Sequence, residues 1–211
     1  MTYTVKEIFY TLQGEGVNAG RAAVFCRFAG CNLWSGLEKD RETAVCRFCD
    51  TEFVWDGSAE GGKFGTPGDL AQAIFDKWPK QVDGKPLVVC TGGEPLLQVD
   101  ADLIRALHDH GFEVAVETNG TLEAPIGIDW ICVSPKANAN LVLKEGNEIK
   151  LVFPQEGVTP DVYENLAFRN FYLQPMDGLD HKANTEKAIK YCKEHPRWRL
   201  SIQVHKMIGV R

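Results

Sequence analysis

Short β-rich runs alternate with helical stretches along this chain, and that alternation limits the fold more than any other feature. The β-rich runs cover residues 22–29, 86–90, 113–117, 130–133, 149–153, 170–173 and 199–204, and helical periodicity covers 67–78, 101–110, 160–166 and 185–194. Helix 101–110 is the plainest: Leu103, Ile104 and Leu107 share a face, and Asp100 is placed to cap it. Strands alternating with helices predict parallel βαβ units of the α/β class. Polar residues collect where the runs end: Cys31 after the first, Thr91 to Pro95 after the second, Glu117 to Gly120 at the third. Ser134 to Lys136 follow the fourth run, Gln174 to Asp177 the sixth, and His205 and Lys206 the seventh. In a parallel barrel such ends share one face, where active sites form. With fewer than eight strands, the expectation is a partial, compact parallel (β/α) barrel. The 211 residues allow a single domain, 1–211, with a sizeable core.

The stretch between Cys31 and Leu70 breaks the pattern. It is polar, rich in glycine and lacks sustained periodicity, as a long functional insertion does. A formal net charge of −6 argues against a nucleic-acid partner. No apolar run approaches the roughly 20 residues of a membrane span, and the first residues lack the pattern of a secretory signal. Seven cysteines is an odd count, which without a signal argues against a disulfide framework. The expectation is a cytoplasmic protein whose clustered thiols serve metal binding or catalysis.

Cys46-Arg47-Phe48-Cys49 is a C-x-x-C pair, and Cys31 lies 15 positions before Cys46. Thiolates are soft ligands that suit zinc or an iron–sulfur cluster. A cubane cluster ordinarily takes four protein thiolates, so three leave one iron open. The other reading is structural zinc, with Cys26 as the fourth ligand. Along the first strand, Val24, Cys26 and Phe28 share one face while Phe25 and Arg27 share the other, so Cys26 is expected to pack against helices. Cys90, Cys132 and Cys192 sit in apolar or helical contexts and read as core residues. Thiol spacing alone leaves iron–sulfur and zinc both open.

Thr91-Gly92-Gly93-Glu94-Pro95 changes the balance. Glycines admit close backbone approach, and a carboxylate pairs with an ammonium. Together with the three cysteines, the segment resembles the Gly-Gly-Glu-Pro motif of radical S-adenosyl-L-methionine (SAM) enzymes, which binds the methionine amino group. The fourteen-residue first gap exceeds the superfamily's commonest spacing, and expanded first gaps are known among the 7-carboxy-7-deazaguanine synthases, the QueE family. The chain is similar to that family over nearly its whole length, through FYTLQGEG (9–16), FCRFAGCNLW (25–34), CDT (49–51) and SIQVHK (201–206). The resemblance implies a radical SAM barrel with a 4Fe-4S cluster on Cys31, Cys46 and Cys49, SAM as a catalytic cofactor, and magnesium, Mg2+. It implies that a hydrogen is removed from 6-carboxy-5,6,7,8-tetrahydropterin and later returned. Between those events the ring contracts and ammonia leaves, giving 7-carboxy-7-deazaguanine, a precursor of queuosine. A reducing partner such as flavodoxin or ferredoxin and a homodimer are implied as well. The competing readings are an activase of a glycyl-radical protein and a non-catalytic zinc-stabilised module.

The same resemblance assigns roles. Phe48 meets the SAM adenine, Asp50 adjoins it, and the Thr51 hydroxyl contacts Mg2+, since hard cations prefer oxygen. Gly92, Gly93, Glu94, Glu117, Asn119, Ser134 and Lys136 bind SAM, with Gln174, Met176 and Asp177 in an adenosine loop. Leu12, Gln13, Gly14, Glu15, Arg27, Thr91, His205 and Arg211 form the pterin site. Taken singly, several of these have plainer readings: Phe48 as core packing, residues 118–120 as a turn, Lys136 as a solvated charge. Arg27 stands out without any resemblance. It interrupts an apolar strand, arginine is seldom buried unpaired, and its planar fork suits a carboxylate.

Overall fold

Alternating faces explain how the strands are used. The computed structural model describes residues 2–58 and 60–211. Met1, the first residue of the predicted domain, and Ala59 of the predicted insertion lie outside the described residues. The order is β1 (Tyr3–Leu12), β2 (Ala22–Phe28), β3 (Gly62–Phe64), α1 (Pro67–Phe75), β4 (Leu87–Gly92), α2 (Ala101–Asp109), β5 (Glu113–Thr118) and β6 (Trp130–Val133). Then come β7 (Glu145–Phe153), β8 (Ala167–Pro175), α3 (His181–Glu194), β9 (Trp198–Leu200) and α4 (Val204–Ile208).

The strands form one open sheet in the order β3-β1-β2-β4-β5-β6-β7-β8-β9. From β2 through β9 every neighbouring pair is parallel, while β1 pairs antiparallel with both β2 and β3. The seven parallel strands are the seven read from the sequence, so the partial barrel stands. The two antiparallel strands are additions. In β1 a register shift between Val5 and Glu7 breaks the two-residue period, so buried residues fall at Tyr3, Val5, Lys6 and Ile8. Strand β3 lies inside the insertion, which therefore folds back onto the sheet.

On the convex face Val24, Cys26 and Phe28 of β2 and Val88 and Cys90 of β4 pack with Leu70 and Ile74 of α1 and Leu103, Ile104 and Leu107 of α2. A second cluster joins Ile149 and Leu151 of β7, Phe171 and Leu173 of β8, and Ala188 of α3. The concave face has only a small apolar floor of Ala23, Leu87, Val89 and Ala115. Asp100 caps α2 as expected, accepting from the Leu103 N–H at 2.9 Å.

Three expectations are corrected. The predicted helix 160–166 is a 3-10 turn over Pro160–Tyr163, without a side-chain cap at Thr159. The predicted strand 199–204 stops at Leu200, because the Val204 N–H donates to the Gly14 carbonyl at 3.0 Å and the chain turns into α4. His205 therefore sits on a helix rather than at a strand end. Strands β4 and β8 run further than predicted, so Thr91, Gly92, Gln174 and Pro175 lie within strands. Among the described residues no helix is long and apolar enough to cross a membrane.

Candidate active site

A cavity of about 420 Å³ opens at the carboxyl ends of the parallel strands, on the concave face. Its wall brings together the thiols Cys31, Cys46 and Cys49 with Phe48, Asp50 and Thr51 of the insertion. Gly92, Gly93, Asn119, Ser134, Lys136, Gln174, Met176 and Asp177 continue the wall along the strand ends. Leu12, Gln13, Gly14, Glu15, Arg27, Thr91, Glu117, His205 and Arg211 close the other side.

On the thiol side, two glycines answer to close packing. A Cβ on Gly93 would meet the Gly30 carbonyl oxygen at 2.1 Å and the Cys31 Cβ at 3.0 Å. Gly92 has φ +136°, a conformation that other residues rarely adopt. The loop bearing Cys31 is thereby laid directly on the end of β4. The C-x-x-C turn is pinned by Arg41, which sequence reasoning missed. Its Nη1 donates to the carbonyls of Arg47 at 2.9 Å and Cys49 at 3.1 Å, and its guanidinium lies 4.1 Å from the centre of the Trp34 ring. A hydrogen bond from Cys46 lowers the Cys49 thiol to about 6, against the opposing effect of burial. Burial pushes the Cys31 thiol up.

The three thiols fit a shared inorganic cluster: they are soft, unpaired and on one wall. Among the described residues no three His, Cys, Asp or Glu side chains converge as a single-ion site. Cys26, the proposed fourth zinc ligand, is fully buried on the convex face among α1 and α2, away from the cavity.

Glu94, just past the end of β4, is held by three hydrogen bonds. It is fully buried and is absent from the cavity wall. Its carboxylate accepts from the Leu96 N–H at 3.0 Å, the Thr118 hydroxyl at 2.7 Å and the Asn119 N–H at 2.8 Å. It therefore braces the strand ends that carry Asn119. Burial pushes this carboxyl up, against the hydrogen bonds that favour its ionised form. Each oxygen takes one backbone N–H, so a Gln amide must turn its NH₂ onto a donor. Glu94→Gln is expected to lower stability by about 1–3 kcal/mol, as read by denaturant unfolding. An unchanged unfolding midpoint would dismiss the bracing role.

On the opposite wall Arg27 projects from the concave face of β2, and its Nε donates to Glu7 at 2.7 Å. Glu7 is the acid that pairs with Arg27. Among the described residues the two Nη groups of Arg27 have no protein acceptor. Arg211 also reaches Glu7, at 2.5 Å, and pairs with Glu60, with its guanidinium 4.8 Å from the Phe9 ring centre.

Glu15 pairs with Lys150 and accepts from Gln174 at 3.1 Å and Gln203 at 3.0 Å. Burial raises its carboxyl, but the Lys150 ammonium and the hydrogen bonds from Lys150 and Gln203 outweigh that and hold it at about 2. Glu117 accepts from Gln13 at 3.1 Å, Thr91 at 3.3 Å and Lys150 at 3.3 Å. His205 packs so closely on Gly14 that a Cβ there would lie 2.1 Å from Nδ1. Lys136 donates to the Ser134 carbonyl and hydroxyl at 2.5 and 2.7 Å, and burial lowers its ammonium. Lys206 bridges Asp50 at 2.7 Å and Asp177 at 2.5 Å, tying the insertion, the β8–α3 loop and α4 together. Glu7 and Lys150 escaped the sequence reading, while Gln203 and Lys206 were noted in it without a role. One signal was available: Glu148 and Lys150 recur with period two inside an otherwise apolar run.

An open parallel barrel with a thiol-bearing loop over its carboxyl-end cavity has the layout of the radical SAM enzymes. No family model matches the chain. The 7-carboxy-7-deazaguanine synthase of Caulobacter vibrioides is 61% identical over 210 residues, covering 100% of both chains. That of Bradyrhizobium diazoefficiens is 59% identical, again over 100% of both, and that of Bacteroides thetaiotaomicron is 39% identical over 100% of both. The crystal structure of QueE from Escherichia coli superposes with a TM-score of 0.69 at 29% identity, covering 97% of this chain and 95% of that one. The chain belongs to the 7-carboxy-7-deazaguanine synthase family.

Proposed function

We propose that this chain converts 6-carboxy-5,6,7,8-tetrahydropterin into 7-carboxy-7-deazaguanine and ammonia, a lyase step in 7-deazapurine formation. The observation that carries the reading is the joining, in one cavity, of three unpaired thiols with a guanidinium and two carboxylates. Product and ammonia together hold every atom of the substrate, so the conversion needs no net oxidant. When bound, a 4Fe-4S cluster and SAM supply the one-electron chemistry that removes a hydrogen from the ligand and returns it.

The protein's own work is to bind and orient. Cys31, Cys46 and Cys49 hold the cluster. Phe48, Asp50, Gly92, Gly93, Glu94, Asn119, Ser134, Lys136, Gln174, Met176 and Asp177 surround SAM, and Glu94 also braces Asn119. Arg27 takes the substrate carboxylate through its two Nη groups. Glu15 accepts from the pterin amino and ring N–H groups, and so does Glu117, which the resemblance grouped with SAM but which hydrogen-bonds the pterin-site residues Gln13 and Thr91. Leu12, Gln13, Gly14, Thr91, His205 and Arg211 complete that wall. Thr51, on the cavity wall, would hold Mg2+ beside the substrate. The functional unit is one domain over 1–211, a homodimer working in the cytoplasm and reduced by a flavodoxin or ferredoxin. Seven unpaired cysteines are in keeping with a reducing compartment.

Anaerobic reconstitution followed by incubation with SAM, dithionite and the carboxylated pterin tests the reading. The expected result is about four irons and four sulfides per chain, 7-carboxy-7-deazaguanine by mass spectrometry, and no stoichiometric loss of SAM. An iron-loaded protein that leaves the pterin intact overturns the proposal.

A further inference from the structure

Strand β7 carries two charged residues on its concave face, Glu148 and Lys150, where neighbouring Ile149 and Leu151 are core. The Lys150 side chain is 5% exposed, and its Nζ meets both Glu15 and Glu117. Those carboxylates come from distant parts of the chain: Glu15 from the β1–β2 loop, Glu117 from the end of β5. Among the described residues, no other cation touches both. Their remaining protein partners are neutral: Gln174 and Gln203 on Glu15, Gln13 and Thr91 on Glu117.

We infer that Lys150 is a positioning residue, whose ammonium ties Glu15 and Glu117 together so that both present acceptors to the amino edge of one pterin. The inference rests on the proposed substrate. Two carboxylates in one buried site repel each other, and without a cation one of them takes up a proton. It would then offer an O–H where the ligand needs an acceptor. Glu148 does not replace the missing charge. It is an acid itself, it accepts from the Val17 N–H at 2.7 Å, and burial pushes its carboxyl up. The other titratable groups facing this cluster are the Cys132 thiol, Lys136 and His205. Lys136 is held by Ser134.

Binding of the carboxylated pterin and of SAM to anaerobically reconstituted wild type, Lys150→Met and Lys150→Arg tests this at about pH 6 and about pH 8. Lys150→Met is expected to weaken pterin binding by roughly a hundredfold or more, as loss of one member of a buried ion pair does. SAM binding should change less than about threefold, since the pair lies away from the thiol wall. The pterin defect should be larger at the lower pH, where the unpaired carboxylate is protonated, while wild type stays level. Lys150→Arg, which keeps the charge, should recover most of the affinity and the level profile. Wild type that binds pterin alongside an unaffected Lys150→Met, or a loss equal at both pH values, overturns the inference alone. Wild type that binds no carboxylated pterin overturns the substrate reading and this inference with it. Should Lys150→Met fail to fold, Glu15→Gln/Lys150→Met is compared with Glu15→Gln. With one carboxylate left there is nothing to align, so the two should match within about threefold. A much weaker double variant overturns the positioning role.

Discussion

Cys46→Ala is expected to reduce the iron recovered after anaerobic reconstitution to background, while Cys26→Ala keeps about four irons per chain. The two cysteines are both buried, at 5% and 0% exposure, so burial does not separate them. Position does. Cys46 faces the cavity with Cys31 and Cys49, on a turn whose carbonyls are held by Arg41. Cys26 is on the convex face of β2, packed under α1 and α2. Removing its sulfur takes away about one methylene's worth of packing, of order 1 kcal/mol, and leaves the cavity wall intact. Iron, sulfide and zinc measured on the same samples decide the matter. Loss of metal in Cys26→Ala as complete as in Cys46→Ala would restore the four-thiolate reading.

Arg27→Ala is expected to remove most of the enzyme's preference for the carboxylated pterin over its decarboxylated analogue. Glu7 orients the guanidinium through Nε, which leaves both Nη groups for a bidentate carboxylate. Breaking a buried pair by removing one partner costs about 3–5 kcal/mol, or roughly a hundred- to several-thousandfold in Kd. Lysine keeps the charge and loses the fork, so Arg27→Lys should fall between. SAM binding is the internal control and should hold in both variants. Glu7 is not left alone in these variants, because Arg211 also reaches it. A preference for the carboxylated form that survives Arg27→Ala would show that another group reads the carboxylate.

Much of the architecture was legible because parallel strands buried on both sides announce themselves. The runs at 86–90 and 113–117 are short, apolar and bounded by turn residues, and each became a strand within two residues of its predicted ends. Helix α2 was equally plain, since one apolar stripe and one capping aspartate lie within ten residues of sequence. Strand β1 was hidden because its bulge moves the buried residues from odd to even positions partway along. The end of β9 was misjudged because a tertiary hydrogen bond to Gly14 decides where the chain leaves the sheet.

The candidate site divides in the same way. Which residue types gather at the strand ends is a property of the chain order, and the thiols, the glycine pair and Arg27 could be named from it. Which of them pair could not. Arg27 meets Glu7, Glu15 meets Lys150, and Glu94 holds Asn119. The physical reason is range. Local periodicity and turn chemistry act over a few residues, and they determined the seven parallel strands and the face each side chain occupies. Partners 135 positions apart, as Glu15 and Lys150 are, meet only once the sheet has curved and its carboxyl ends converge. The tertiary structure alone therefore decided the charge pairing inside the cavity.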